Sequence, residues 1–222
     1  MSVKAGRRGF TLIEMAIVLV VLGLIASLLV TPLAMRAEAS QRRAAEEMLD
    51  NITDALIGFA LVQGRLPCPS IESDPASSAY GLEQGPPCTF NVPGYLPWRT
   101  LGLPAHDPWG SPRANATQPW TGHWRYRPDK NFAEGTISLS TLPSGSIQIK
   151  DHDGNLISTA DSRIVAVVFS TGPNRQADGL NTTHSSTSPT FEAGEPTPAF
   201  DDLLRWIAHP LFIARLARSG RL

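Results

Sequence analysis

One apolar run near the N-terminus limits the structures and the membrane topologies that this chain can adopt. Residues 10–30 read FTLIEMAIVLVVLGLIASLLV, and Glu14 is the single charge among them. About 20 apolar residues suffice to cross a bilayer. Three basic residues and no acidic one precede the run, which by the positive-inside rule predicts a cytoplasmic N-terminus and export of everything that follows. We therefore expect residues 10–31 to form a membrane-spanning helix.

Three interpretations of this segment compete. A cleaved secretory signal would use Ala37-Glu38-Ala39, and a twin-arginine signal would use Arg7-Arg8, but the run is longer than the roughly 7–15 residues of a signal-peptide core. The third interpretation is a permanent helix whose leader, residues 1–9, is removed before the apolar run. A cut between Gly9 and Phe10 would create an α-amino group one helical turn from Glu14.

Glu14 favours the third interpretation. Placing a charged side chain at the centre of a membrane helix costs about 2.5–3.5 kcal/mol of insertion free energy, so a charged residue there indicates a functional role. In an assembly of such helices, the carboxylate of one subunit can pair with the Phe10 amine of its neighbour, and a low dielectric strengthens the pair. The alternative is a hydrated carboxylate at the membrane edge.

The sequence Gly9-Phe10-Thr11-Leu12-Ile13-Glu14, after a basic leader and before an apolar run, resembles the signal of type IV pilins and type II secretion pseudopilins. The resemblance covers about the first 30 residues. It implies cleavage after Gly9 by a prepilin peptidase, N-methylation of Phe10, and assembly through Glu14. The implied partners are the peptidase, other pilin or pseudopilin subunits, the inner membrane, and the pilus or secretion machinery.

The apolar helix is predicted to continue through residues 32–63. Met48, Ile52, Leu56 and Phe59 recur at helical spacing, with charged residues on the other faces. Gln63-Gly64 predicts its end. The remaining residues, 64–222, are expected to form a periplasmic globular domain.

A disulfide is expected in the Pro- and Gly-rich stretch that follows the helix. Cys68 and Cys88 are the two cysteines of the chain, and an oxidising periplasm favours their pairing. Two buried free thiols are the alternative, and a redox pair would more commonly read C-x-x-C.

A small antiparallel sheet is predicted from alternating or β-branched segments at 135–142, 146–150 and 163–170, the last being the best candidate for a buried central strand. Residues 171–197 are polar and predict a mobile surface loop. Asp201-Asp202 predicts the start of a helix that His209-Pro210 ends, followed by a second short helix. The fold class is therefore α+β: a long N-terminal helix packed on a small antiparallel sheet, with long loops and a C-terminal helical extension.

Calcium is the one cofactor that the sequence suggests. Asp107-Pro108-Trp109-Gly110 is similar to a motif of major type II pseudopilins, and Asp178 with Asp201 and Asp202 is similar to their C-terminal loop, which holds calcium in several members. The stretch between Asp178 and Asp201 is long compared with that pattern, and capping or turn roles explain the same aspartates without metal. Asp151-x-Asp153-Gly154 lacks the further acidic ligands of an EF-hand and predicts a turn.

Nothing in the sequence indicates an enzyme. The five histidines follow no metal-ligand spacing, and neither a G-x-S-x-G nor a P-loop occurs. The net charge of −1 gives no indication of a nucleic-acid partner.

We expect a structural subunit, a minor pilin or pseudopilin. The alternatives are a non-polymerising membrane protein with a periplasmic binding domain, or a filament-tip adhesin or DNA-uptake subunit.

Overall fold

The computed structural model describes residues 11–110, 122–159 and 162–220, with the backbone alone for residues 26–34. The chain divides into two compact units, Met1–Arg43 and Ala44–Leu222. Helix α1, Leu12–Gln63, contributes residues to both units.

The α1 residues of the second unit are amphipathic. Ala45, Leu49, Ile52, Leu56 and Ala60 follow one another at intervals of three or four and are all at most 2% exposed. Of the predicted stripe, Ile52 and Leu56 are fully buried, while Met48 and Phe59 are half-buried.

Helix α1 ends where the sequence predicted. The Gly64 N–H donates to the Ala60 carbonyl at 2.9 Å, and Gly64 has a φ of 73°. This left-handed conformation suits glycine, because a Cβ would strain it.

A three-stranded antiparallel sheet, in the order β1-β3-β5, forms the centre of the second unit. Its strands are β1 Arg125–Pro128, β3 Ile164–Ser170 and β5 Leu203–Ala208. All seven residues of β3 are buried, which confirms the predicted central strand. Val165, Ala166 and Val168 of β3 share one core with the buried face of α1. The α+β class is therefore confirmed.

A second, two-stranded sheet pairs β2, Gln148–Lys150, with β4, Thr190–Glu192. The two strands run parallel, whereas the sequence analysis predicted only antiparallel pairing. A separate apolar cluster lies beside this sheet and includes Ile149, Val167 and Phe191.

The predicted strand at 135–142 is wrong. The chain instead forms a short helix α3, Lys130–Glu134, and then a turn. A four-residue helix α2, Trp98–Leu101, precedes α3 along the chain. The Asp129 side chain caps α3 by accepting from the Asn131 N–H. Leu139 and Leu142 are 64% and 58% exposed. Because these side chains are not packed in the apolar core, the alternation of apolar and polar residues does not stabilise a strand here.

The predicted helix after Asp202 is also wrong. Residues Leu203–Ala208 pair with β3 as strand β5, because tertiary pairing overrides a short helical pattern. His209-Pro210 begins a helix rather than ending one. Helix α4, His209–Arg218, carries Pro210 in its first turn, where a missing N–H costs nothing. The predicted C-terminal helix is thus present, with a different start.

Residues 171–197 are more structured than a surface loop. They contain a 3-10 turn, Gly179–Thr182, as well as strand β4. Asn181 is 7% exposed and donates to the Glu192 carbonyl at 3.1 Å, while its own side-chain oxygen accepts from the Glu192 N–H at 2.9 Å. The prediction missed these contacts because they join residues that are far apart in the sequence.

The expected disulfide between Cys68 and Cys88 is present, with a Cα–Cα distance of 5.3 Å. Acidic side chains hold the backbone on each side of it. The Cys68 N–H donates to Glu83 at 3.1 Å, and the Cys88 N–H donates to Glu134 at 2.9 Å. Glu83 in turn forms an ion pair with Arg65 at 2.8 Å.

Candidate functional site

The first candidate site is the N-terminal part of α1. Every side chain from residue 12 to residue 25 is exposed, including Leu12 at 89%, Leu19 at 68% and Leu24 at 61%. A helix that is apolar on all its faces needs a lipid or protein environment around it. Within this unit of the chain, no described side chain covers that surface.

Glu14 lies in the first turn of α1 and forms a capping box with Thr11. Its carboxylate accepts from the Thr11 N–H and from the Thr11 hydroxyl, both at 3.1 Å. The Glu14 N–H donates to the Thr11 hydroxyl at 3.3 Å. Thr-x-x-Glu is the sequence signature of this motif, so the capping box is readable from the sequence, although it was not predicted above. Glu14 is therefore a helix-capping residue as well as a candidate assembly residue.

The other residues of the predicted signal lie outside the described part of the chain. These are the leader, residues 1–9, including Gly9, and also Phe10. The predicted span 10–31 further includes residues whose side chains are not described. Among the described residues, we find no helix with an apolar stretch long enough to cross a membrane.

The second candidate site is the acidic cluster of Asp178, Asp201 and Asp202. One carboxylate oxygen of each lies within 4.8 Å of the others, so the structure brings together the three predicted aspartates. Across the described residues, no other group of three His, Cys, Asp or Glu side chains could hold a metal ion in this way. The three side chains are positioned by the 3-10 turn on one side and by the start of β5 on the other.

Hydrogen bonds hold each aspartate in place. Asp178 accepts from the Asn174 side chain at 3.1 Å and from the Asp201 N–H at 2.9 Å. Asp202 Oδ2 accepts from the Asp178 N–H at 3.0 Å and from the Asn181 side chain at 2.9 Å. Neither Asn174 nor Asn181 was predicted. Asn174 lies four residues before Asp178, so its closeness in sequence was a usable signal, whereas Asn181 reaches Asp202 across 21 residues and only the fold brings them together.

Asp202 has an unusual environment for a carboxylate. It is only 2% exposed, and its Oδ1 is buried without a hydrogen-bond partner. Burial raises its pKa to about 7, the charges of Asp178 and Asp201 push in the same direction, and its two hydrogen bonds oppose the shift. A buried carboxylate next to two others is unfavourable unless a proton or a cation compensates it.

The Asp107-Pro108-Trp109-Gly110 motif has a structural role. Asp107 is 4% exposed and accepts hydrogen bonds from the Ser170 hydroxyl and from the Trp109 N–H. The Gly110 N–H donates to the Asp107 carbonyl at 3.0 Å and closes a turn. Burial raises the pKa of Asp107, and these hydrogen bonds oppose the rise. The motif thus joins a turn to the end of β3.

The comparison with protein families gives one match. The model of the prokaryotic N-terminal methylation motif matches residues 4–30. No curated protein and no solved structure matches the chain.

The match and the geometry concern the same segment. The motif covers Gly9, Phe10 and Glu14, and it continues through the exposed apolar turns of α1. It implies processing by prepilin peptidase, assembly with other pilin subunits and attachment to a membrane. Such a signal is typical of a structural protein rather than an enzyme. The N-terminus of this chain therefore carries the prokaryotic methylation motif, which is the signal of type IV pilins and pseudopilins.

Proposed function

We propose that this protein is a minor subunit of a type IV pilus or of a type II secretion pseudopilus. The observation that carries the proposal is the methylation motif at residues 4–30. The exposed apolar surface of residues 12–25 supports it, because packing against identical or related helices would remove that surface from water.

In this proposal, prepilin peptidase cuts after Gly9 and the new Phe10 amine is methylated. Glu14 of one subunit then pairs with the Phe10 amine of a neighbour. The local capping by Thr11 supports this role, since it fixes the position of the Glu14 carboxylate at the start of α1.

The topology that follows is a single inner-membrane span with a cytoplasmic N-terminus. Residues 10–31 would span the membrane and assemble, residues 32–63 would continue the helix, and residues 64–222 would form the periplasmic domain. The basic residues Lys4, Arg7 and Arg8 support this orientation. After assembly the protein would reside in the pilus or pseudopilus.

A pair of substitutions separates assembly from helix capping. Glu14→Gln removes the negative charge but keeps a side chain that can complete the capping box. Thr11→Ala removes the cap but keeps the charge. Each variant is expressed in the native host, and its amount is measured in sheared filaments and in cross-linked membrane complexes. We expect Glu14→Gln to enter membranes at the normal level and to disappear from filaments, whereas Thr11→Ala still assembles.

Assembly of Glu14→Gln at the normal level would contradict the proposal and favour a non-polymerising membrane protein. Intact-mass analysis of the wild-type protein provides an independent test. We expect the mature chain to start at N-methylated Phe10. A retained leader or a start near Glu38 would also contradict the proposal.

We further propose that the Asp178, Asp201 and Asp202 cluster binds calcium. Carboxylate oxygens are the ligands that Ca²⁺ prefers. The unpartnered Oδ1 of the buried Asp202 supports the proposal, because a cation would compensate its charge and Asp202 forms no ion pair with a described basic residue. Bound calcium would connect the 3-10 turn to the start of β5.

Calcium binding is tested on the full chain in detergent by dialysis against ⁴⁵Ca²⁺ and by thermal unfolding with and without EGTA. We expect Ca²⁺ to raise the melting temperature of the wild type, and Asp202→Asn to abolish both binding and stabilisation. Asp153→Asn is the matched control, since Asp153 is exposed and lies outside the cluster. If Asp202→Asn unfolds, Asp178→Asn replaces it. Unchanged binding in these variants, or no binding to the wild type, would refute the proposal.

A further inference from the structure

A cleft in the second unit lies between β1 and the segment that joins the 3-10 turn to β4. Its volume is about 140 Å³, which is room for roughly ten water molecules or for one small organic molecule. Arg125, Arg127 and His184 contribute polar groups, and Pro93, Phe169 and Phe191 contribute apolar surface. The cleft shares no residue with the acidic cluster or with the methylation motif.

The two arginines are placed in the cleft by the alternation of β1. Tyr126 and Pro128 point into the core, and Arg125 and Arg127 lie on the opposite face, where they are half-buried. Aromatic rings hold both guanidinium groups. The Arg125 guanidinium lies 4.4 Å from the Tyr95 ring centre, and the Arg127 guanidinium lies 4.2 Å from that of Phe90.

The hydrogen-bonding capacity of these arginines is largely unused. Arg127 donates to the Phe90 and Ser186 carbonyls, at 3.4 and 2.6 Å, and its Nε–H is buried without a partner. Arg125 makes no hydrogen bond through its guanidinium to any described residue, and its Nε–H is likewise buried. Arginine has five N–H donors, and among the described residues only the Phe90 and Ser186 carbonyls accept from this pair.

The charge of the pair is also poorly compensated. Within the described part of the chain, no aspartate or glutamate lines the cleft, and neither arginine forms an ion pair. Burial lowers the pKa of Arg127 to about 10, and the carboxylate of Asp129 opposes the shift. Half-burial of a guanidinium group that forms no ion pair costs desolvation free energy, and an anion in the cleft would offset that cost.

We propose that this cleft binds a carboxylate attached to a small apolar group. The planar fork of a guanidinium matches the two oxygens of a carboxylate. The apolar part of the ligand would contact Phe169, Phe191 and Pro93. Binding would need no assembly of the protein, so this inference does not rest on the proposed filament role.

The test uses the purified full chain in detergent and equilibrium dialysis of labelled benzoate. Benzamide, which has the same shape without the charge, and inorganic phosphate, which has charge without the apolar part, are dialysed in parallel. We expect benzoate to bind more tightly than either. Arg125→Gln should weaken benzoate binding about tenfold or more, because a charge-assisted hydrogen bond is lost. Arg205→Gln, on strand β5 at the other edge of the same sheet and outside the cleft, is the matched control and should bind as the wild type does.

Thermal unfolding of each variant establishes that it is folded. If Arg125→Gln does not unfold cooperatively, Arg125→Lys takes its place, since it keeps the charge and loses the planar fork. Equal binding of benzoate and benzamide, binding of phosphate alone, or benzoate binding that is insensitive to Arg125 would each overturn the proposal.

Discussion

Glu14 and Asp202 are both carboxylates, and their surroundings differ in a way that separates their chemistry. Glu14 is exposed, and its carboxylate accepts two hydrogen bonds from Thr11. Asp202 is buried, and one of its oxygens has no partner. An exposed carboxylate is accessible to a cation from solvent or from another molecule, whereas a buried carboxylate beside two others is unfavourable unless a proton or a cation compensates its charge.

His152 gives a pH-dependent prediction at the same scale. Its ring nitrogens hydrogen-bond to the Glu192 carboxylate and the Glu195 carbonyl, both at 2.8 Å. The Glu192 hydrogen bond is the main cause that raises the pKa of His152, and Asp153 adds a smaller electrostatic effect. The hydrogen bond from the Asn155 side chain is the main cause that lowers the pKa of the neighbouring Asp151, and the charge of His152 acts in the same direction.

A histidine with a raised pKa in the folded state stabilises the fold most at low pH. The contribution of His152 is fully present below the ordinary histidine pKa of about 6.5 and is lost as the pH rises through the folded-state value. We expect His152→Gln to lower the free energy of unfolding by less than about 1 kcal/mol at pH 6 and by less still at pH 9. Urea unfolding at the two pH values measures this. His184→Gln is the control, because His184 hydrogen-bonds to a backbone carbonyl instead of a carboxylate. An equal effect of His152→Gln at both pH values would contradict the assignment.

At the scale of elements, the part of α1 in the second unit is held by burial of one face against the sheet. Ile52 is fully buried in the core that also contains Val165 and Ile207. Strand β3, paired on both edges and buried throughout, contributes Val165, Ala166 and Val168 to the same core. Burial of this face, rather than helix propensity, supplies most of the stability of these turns.

A matched pair of substitutions in α1 tests this account. We expect Ile52→Ala to lower the free energy of unfolding by about 2–5 kcal/mol, because it leaves a cavity in the core. Val62→Ala removes a side chain that is 73% exposed and should change the free energy by less than about 0.5 kcal/mol. Denaturant unfolding of the two variants provides the comparison, and similar losses would show that the face of Ile52 is not the packed one.

At the scale of the whole molecule, the proline-rich stretch after α1 depends on a few long-range contacts. The Cys68–Cys88 disulfide closes this stretch, and Glu134 of α3 binds the backbone of Cys88. The Tyr126 hydroxyl donates to the Pro67 carbonyl at 3.1 Å, which ties the same stretch to β1. These contacts replace the regular hydrogen bonding that prolines prevent.

We therefore expect loss of the disulfide to be costly. The double variant Cys68→Ser, Cys88→Ser should lose about 2–5 kcal/mol of unfolding free energy, and reduction of the wild type should lose a similar amount. Thermal unfolding with and without dithiothreitol measures both. Dithiothreitol should have no effect on the double variant, which serves as the internal control. A wild type that is insensitive to reduction would contradict a stabilising role for this bond.

Local chemistry in the sequence determined much of this protein. The methylation motif, the end of α1 at Gly64 and the buried strand β3 were predicted, because each depends on residues that are close in sequence or on a strongly apolar segment. Asp178, Asp201 and Asp202 were named from a resemblance, and the fold brings them together across 23 residues of chain. Only the tertiary structure decided that residues 203–208 form a strand, that β2 and β4 run parallel, and that Arg125 and Arg127 share a cleft with few acceptors. These features depend on pairing and burial between distant segments, and local propensity is too weak to specify them.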